Sequence, residues 1–240
     1  LRKDHRPYYL KKAYLRFQHV YARHFLAPQL DRLGAGYTIT QPWNMEVFGS
    51  RITIGQYANI LCTADKKVRL TVWPEEKGSG AIAIGDYCLI CPGVRISSAG
   101  GIRIGSNTML ASQVYITDSD WHGIYNRIWT TGPAKPVSIA DNVWIGDSAI
   151  VCKNVAIGQN SIIGAGSVVV HSIPANSIAV GNPARVVKQL DPQEPFAKRS
   201  EWFADPEILK ADIDAIDREN LKGNSIFHWL RTLVFPGPSD

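Results

Sequence analysis

The stretch SDWHGIYNR, Ser119 to Arg127, gathers the residue types that could do chemistry, with Asp118 just before it. An imidazole such as His122 can take a proton from a hydroxyl near neutral pH. Asp120 or Asp118 could accept from its other ring nitrogen and hold one tautomer. Trp121 and Arg127 could grip a second reactant by stacking and hydrogen bonding. The same residues also suit an ordinary surface loop, with His122 solvated, Asp120 capping a turn before Gly123 and Trp121 packed for anchorage. Residue types alone leave the choice open, so the surrounding elements must decide it.

Those elements follow a six-residue period. Ile139, Ile145, Val151, Ile157, Ile163 and Val169 are each six apart, and a small residue follows most of them: Ala140, Gly146, Cys152, Gly158, Gly164. The period also links Ile84, Ile90, Ile96 and Ile102, shifts by two to Ile104, Leu110 and Ile116, and has an earlier piece at Ile54 and Ile60. Six fits neither strand alternation, helix nor heptad. It fits a solenoid in which each hexad supplies a short strand and a corner, three hexads close a coil, and the aliphatics stack inward. Small residues are expected at the corners, where the backbone turns tightly. From Ile116 to Ile139 the step is 23 residues rather than six, and His122 lies inside that insertion.

The 240 residues are 45% hydrophobic and 20% charged, with net charge +5, as in ordinary globular proteins. Residues 1–33 hold eight Lys/Arg against two acids, leaving 18 of the 26 basic residues against 19 of the 21 acidic ones. The basicity thus belongs to one segment, which argues against a nucleic-acid partner. No apolar run reaches the length of a membrane span and no secretory signal pattern opens the chain, although Leu1 is not an initiator Met. Cys62, Cys88, Cys91 and Cys152 suggest a reducing compartment rather than a disulfide framework. Three regions follow. Residues 1–36 form an N-terminal amphipathic helix, with Leu10, Tyr14, Phe17, Tyr21 and Phe25 opposite Lys12, Arg16, His19 and Arg23. Residues 47–187 carry the repeat, with a loop insertion at 117–136. Residues 192–240 form a helical extension, with Asp205 as N-cap, Pro206 at the first position and Gly223 as stop. The basic helix either packs on the body or rests on an anionic membrane.

The run VWIGDSAIVCKNVAIGQNSIIGAGSVVVHSIPANSIAVGNPARVV resembles the hexapeptide-repeat acyltransferases. It is similar to the maltose and galactoside O-acetyltransferases and to polysaccharide O-acetyltransferases. The resemblance implies a mainly β fold, a left-handed parallel β-helix, although crossovers between parallel strands are otherwise right-handed. It also implies a homotrimer, acetyl-CoA as co-substrate and a carbohydrate acceptor, with no metal and no nucleic acid. The location it implies is cytoplasmic, with peripheral contact at the inner face of the membrane through residues 1–33 as one reading. His122 matches the general base that begins a loop reaching toward a neighbouring subunit, with Asp120 as its orienting carboxylate. Asp118, Trp121 and Arg127 are placed at the acceptor. Gly146 and Ala165 match positions lining the CoA groove, and Arg185 matches a basic position at the nucleotide phosphates. His171 and Asp147 depart from the residues usual there. An amino-sugar acceptor would make the reaction N-acylation, and a non-catalytic repeat scaffold is the competitor from another class.

Cys88-x-x-Cys91 lacks the second ligand pair of a zinc site and occupies small-residue slots of the repeat. A β-helix carbonic anhydrase would need more histidines than the repeat region offers. A nucleotidyltransferase would need a Gly-rich phosphate loop that is missing.

Overall fold

A computed structural model describes residues 4–73, 80–128 and 133–237. Arg2 and Lys3 of the basic segment, and residues 129–132 of the insertion, lie outside the described residues. The chain forms two compact units, one of Leu1–Val20 with Trp202–Asp240, the other of Tyr21–Glu201.

The larger unit is a parallel β-helix of six three-strand coils. Coil 1 is β1 (Arg32–Leu33), β2 (Thr38–Thr40) and β3 (Met45–Phe48). Coil 2 is β4 (Ile52–Ile54), β5 (Asn59–Leu61) and β6 (Val68–Val72). Coil 3 is β7 (Ile82–Ile84), β8 (Leu89–Ile90) and β9 (Arg95–Ser98), and coil 4 is β10 (Ile102–Ile104), β11 (Met109–Leu110) and β12 (Tyr115–Thr117). Coil 5 is β13 (Val137–Ile139), β14 (Trp144–Ile145) and β15 (Ile150–Val151), and coil 6 is β16 (Ala156–Ile157), β17 (Ile162–Ile163) and β18 (Val168–Val169). The first strand of every coil joins sheet A, the second sheet B and the third sheet C. An antiparallel pair, β19 (Ser177–Gly181) and β20 (Ala184–Gln189), ends sheet B.

The hexad aliphatics are the core. Leu33, Ile54, Ile84, Ile104, Ile139 and Ile157 are register partners up sheet A. Ile39, Ile60, Ile90, Leu110, Ile145 and Ile163 climb sheet B in the same way. From Ile52 to Val169 the ladder positions are buried, and each such side chain contributes about 1.5–3 kcal/mol by leaving water. The solenoid begins at Arg32, earlier than the expected Val47. Leu33, Ile39 and Met45 keep the six-residue step, and mixed residue types hide it in the sequence.

Glycine takes several left-handed corners, as expected: Gly36, Gly93 and Gly166 have φ 70°, 80° and 67°. From coil 2 onward, the left-handed positions after the sheet A strands fall to Tyr57, Tyr87, Asn107, Asn142, Asn160 and Asn176, with φ between 52° and 62°. The glycine after the inward aliphatic is instead required by the next coil: a Cβ on Gly105 would stand 2.4 Å from Asp141 Oδ1.

Helix α1 (Tyr8–Tyr21) runs into a π-turn at 22–26. Gln18 is buried in α1, Ala22 and Leu26 in the π-turn, and Leu30 beyond it. Phe17 and Phe25 of the expected apolar stripe are more than half exposed. Leu10, Tyr14 and Tyr21 of that stripe are half-buried, and Lys12, Arg16, His19 and Arg23 opposite them are exposed.

Short helix α2 (Arg199–Trp202) leads to α3 (Pro206–Asn220) and α4 (Ile226–Val234). Asp205 caps α3 by accepting from the Glu207 and Ile208 amides, and Gly223 past its end has φ 83°. In the smaller unit Lys11 pairs with Asp217 and Lys12 with Asp214, while Tyr8 donates to Asp214. These contacts hold the Asp214 carboxyl far below the usual carboxylate range. Part of the segment's basic charge is therefore met by acids of α3. Among the described residues no helix is long and apolar enough to cross a membrane.

Candidate active site

The insertion leaves at the end of β12, and its base is built around a buried carboxylate. Asp118 is fully buried and accepts from Ser98 Oγ (2.7 Å), from the Ala99 amide (2.7 Å), and from the Gly100 and Gly101 amides. A charge out of water needs this degree of satisfaction. The 98–101 corner that supplies the donors is the place where the repeat shifts by two, so the shift makes a socket. Asp118 was expected at the acceptor; the structure assigns it to anchorage instead, since its oxygens are occupied and covered. Its carbonyl accepts from the Lys135 amide, and Ser119 bridges Ala134 in antiparallel fashion, closing the neck of the loop.

Trp121 is half-buried and Asp120 is exposed, and both are tied down. Trp121 has φ 62°, its amide donates to Ser119 Oγ (3.2 Å) and its indole to Thr117 Oγ1 (2.9 Å). The anchoring reading of Trp121 is the one this geometry supports. Asp120 is ion-paired with Lys153, which also donates to the Pro133 carbonyl (3.3 Å). One lysine of coil 5 thus ties both arms of the insertion. Asp120, expected to orient the His122 ring, thus also takes a strong ammonium donor from the neighbouring coil. Lys153 was not singled out from the sequence, where it is one charged residue in a corner slot.

His122 is exposed at the shoulder of the loop. Gly123 follows because a Cβ there would lie 2.5 Å from the Asn126 carbonyl oxygen, so the turn after the histidine admits glycine. Ile124, Tyr125 and Ile128 are 70%, 100% and 89% exposed, and Arg127 is exposed beside them. Apolar side chains this exposed and this close together are unusual on a protein surface.

The residues expected on the donor side lie elsewhere. Gly146, after β14, donates its amide to the Ile163 carbonyl (2.8 Å), and a Cβ on it would lie 2.6 Å from the Ala165 amide. Ala165 is exposed one coil further on, and Arg185 is exposed on β20 with its guanidinium on the Ala184 carbonyl (3.1 Å). Gly146 and Ala165 stand on the edge between sheets B and C, whereas the His122 loop leaves the edge between sheets C and A. Cys62 and Cys88 are buried free thiols, pushed up by burial to about 11 and about 12, and so poor nucleophiles.

Residues 136–171 match the family described as bacterial transferase hexapeptide (six repeats). The galactoside O-acetyltransferase of Escherichia coli K12 is 35% identical over 95 residues, which are 39% of this chain and 46% of that protein. WbbJ of the same strain, named for O-acetyl transfer in lipopolysaccharide biosynthesis, is 32% identical over 123 residues, 47% of this chain and 62% of WbbJ. The chain spans about half the length of the curated relatives it matches. Among solved structures, a variant of AntD, an N-acyltransferase from Bacillus cereus in complex with dTDP-4-amino-4,6-dideoxyglucose and coenzyme A, aligns with TM-score 0.57 at 21% identity. That alignment covers 79% of this chain and 96% of AntD. The likeness is one of fold, and it agrees with a left-handed β-helix.

Proposed function

We propose that this chain, which carries the six-residue repeat of the bacterial hexapeptide transferases, is a CoA-dependent O-acyltransferase. Its donor is acetyl-CoA and its acceptor a sugar hydroxyl of a surface polysaccharide or glycolipid precursor. The observation that carries the reading is the longest excursion from the repeat, tied at its neck by Asp118 and Lys153, with His122 exposed on it. Residues that only filled a loop would not need a buried carboxylate socket.

In the reaction proposed, the His122 imidazole takes the proton of the acceptor hydroxyl as that oxygen attacks the thioester carbonyl. The C–O bond forms, the tetrahedral oxyanion is met by backbone N–H donors, and the C–S bond breaks. The proton passes from the imidazolium to the departing CoA sulfur. The site is completed between copies of the chain, as a homotrimer. Two features support this: Gly146 and Ala165 occupy a different edge from His122, and the loop carries the exposed Ile124, Tyr125 and Ile128. Arg185 meets the nucleotide phosphates, and Arg127 the acceptor. Membrane contact through residues 1–33 has weaker support, since Lys11 and Lys12 already face Asp217 and Asp214.

Free-thiol release from acetyl-CoA tests the reading. With a glycan acceptor the wild type should release CoA, and His122→Ala should lower turnover by roughly 10²–10⁴-fold, the range for a general base. The melting temperature should hold, since His122 is exposed. Near-normal turnover of the variant would remove His122 from the mechanism, and no release from the wild type would favour a scaffold.

A further inference from the structure

The edge that bears the His122 loop also carries an aromatic pair outside the core. Phe48 ends β3 and Trp73 follows β6. Their ring centroids are 4.3 Å apart with planes 32° from parallel. They are 51% and 49% exposed. Gly49, at φ 89°, brings the two corners together, since a Cβ there would fall 2.3 Å from the Val72 carbonyl oxygen. The Trp73 amide donates to the Ser98 carbonyl (2.8 Å), and Ser98 Oγ donates to Asp118 (2.7 Å). Two hydrogen bonds therefore connect Trp73 to the socket of the catalytic loop. At one strand spacing per coil, Trp73 lies about 10 Å from Asp118 along the solenoid, and Phe48 about 5 Å further.

Direction matters as much as distance. Gly146, Ala165 and Arg185 lie in coils 5 and 6 and β20, on one side of coil 4. Donor and acceptor must reach His122 by different approaches, and the approach over coils 1–3 is where the two rings stand.

We propose that Phe48 and Trp73 form a stacking subsite for a sugar ring of the acceptor, remote from the sugar that is acylated. The acceptor is then a glycan chain rather than a free monosaccharide. This rests on the acyltransfer reading and names its substrate class. A pyranose presents an apolar C–H face that packs on an aromatic ring while its hydroxyls stay hydrated at the rim. The pair selects by ring face and chain length, and leaves the chemistry to the loop.

The test is binding, independent of turnover. Wild type, Phe48→Ala and Trp73→Ala are applied to a microbial glycan array, and the best-bound glycan is titrated as fragments of increasing length. Affinity for the wild type should rise with length. Either alanine variant should weaken the longest fragment by roughly ten-fold, as loss of an aromatic contact does, and leave the shortest unchanged. Trp73→Phe should retain most of the affinity, which separates stacking from misfolding. Equal binding by the alanine variants, affinity independent of length, or no glycan bound by the wild type would each overturn the subsite. So would unchanged glycan binding with a smaller assembly in sedimentation, which would make a second copy of the chain the occupant. A wild type that binds long glycans in this way yet releases no thiol from acetyl-CoA would sink the acyltransfer reading and leave the subsite standing.

Discussion

Two edges of the solenoid are built from the same repeat and treated very differently. Between sheets A and B the inward residues step by six in every coil: 33 to 39, 54 to 60, 84 to 90, 104 to 110, 139 to 145 and 157 to 163. Between sheets C and A the steps run 47 to 54, 70 to 84, 96 to 104, 116 to 139 and 151 to 157, so only the last is six. The first edge is closed by backbone packed on backbone at Gly55, Gly85 and Gly105. It is also covered by its own chain, where Arg199 donates to the Tyr87 carbonyl and the Ser200 amide to Asn107. The second edge opens at every coil but the last and gathers Phe48, Trp73, the Asp118 socket and the His122 loop. In a repeat fold, regularity holds the core together and chemistry collects where one edge is released from the period.

The largest expected effect comes from disturbing the closed edge. Gly105→Val puts a branched side chain where a Cβ would already lie 2.5 Å from the Ala140 carbonyl carbon. It should cost about 3 kcal/mol or more in denaturant unfolding. Two glycines added between Tyr125 and Asn126, on the open edge, should cost under about 1 kcal/mol. Equal costs at the two sites would break the comparison.

A smaller loss is expected at the joint between core and loop. Asp118→Ala leaves the Ala99, Gly100 and Gly101 amides without their acceptor and should lower stability by about 2 kcal/mol. It should also lower kcat with little change in CoA affinity, because the residues proposed for the donor sit on another edge. A variant that loses CoA binding in step with kcat would show that the two edges are not separable.

The smallest effect should come from the outer tie. Lys153→Met frees Asp120 and the Pro133 carbonyl but breaks a partly exposed pair, so stability should change by less than about 1 kcal/mol. Turnover should still fall roughly three- to ten-fold, as misplacing a catalytic group does. A change in melting temperature without a change in turnover would make Lys153 a purely structural contact.

Much of this molecule is set by local sequence. The aliphatic period names the inward residues, because one stacked ladder position recurs at a constant step. Asp205, Pro206 and Gly223 delimit α3, because capping is decided within a few residues. The break after Ile116 marks the loop for the same reason. The register of coil 1 was harder to see, since Leu33, Ile39 and Met45 differ in type. The half-buried side of α1 was legible at Leu10, Tyr14 and Tyr21, whereas the burial of Gln18 was not, because a glutamine carries no apolar signal.

The division of labour among the carboxylates belonged to the tertiary structure. Asp118 and Asp120 are two residues apart and read alike along the chain. Asp118 meets donors from the coil below, 17–20 residues earlier, and Asp120 meets Lys153 from the coil above, 33 residues later. Those partners come together only when coils stack, so which acid anchors and which is tied to a lysine follows from the register between coils. The period along the chain specifies that stacking, but it does not say which polar atoms the stacking will bring face to face.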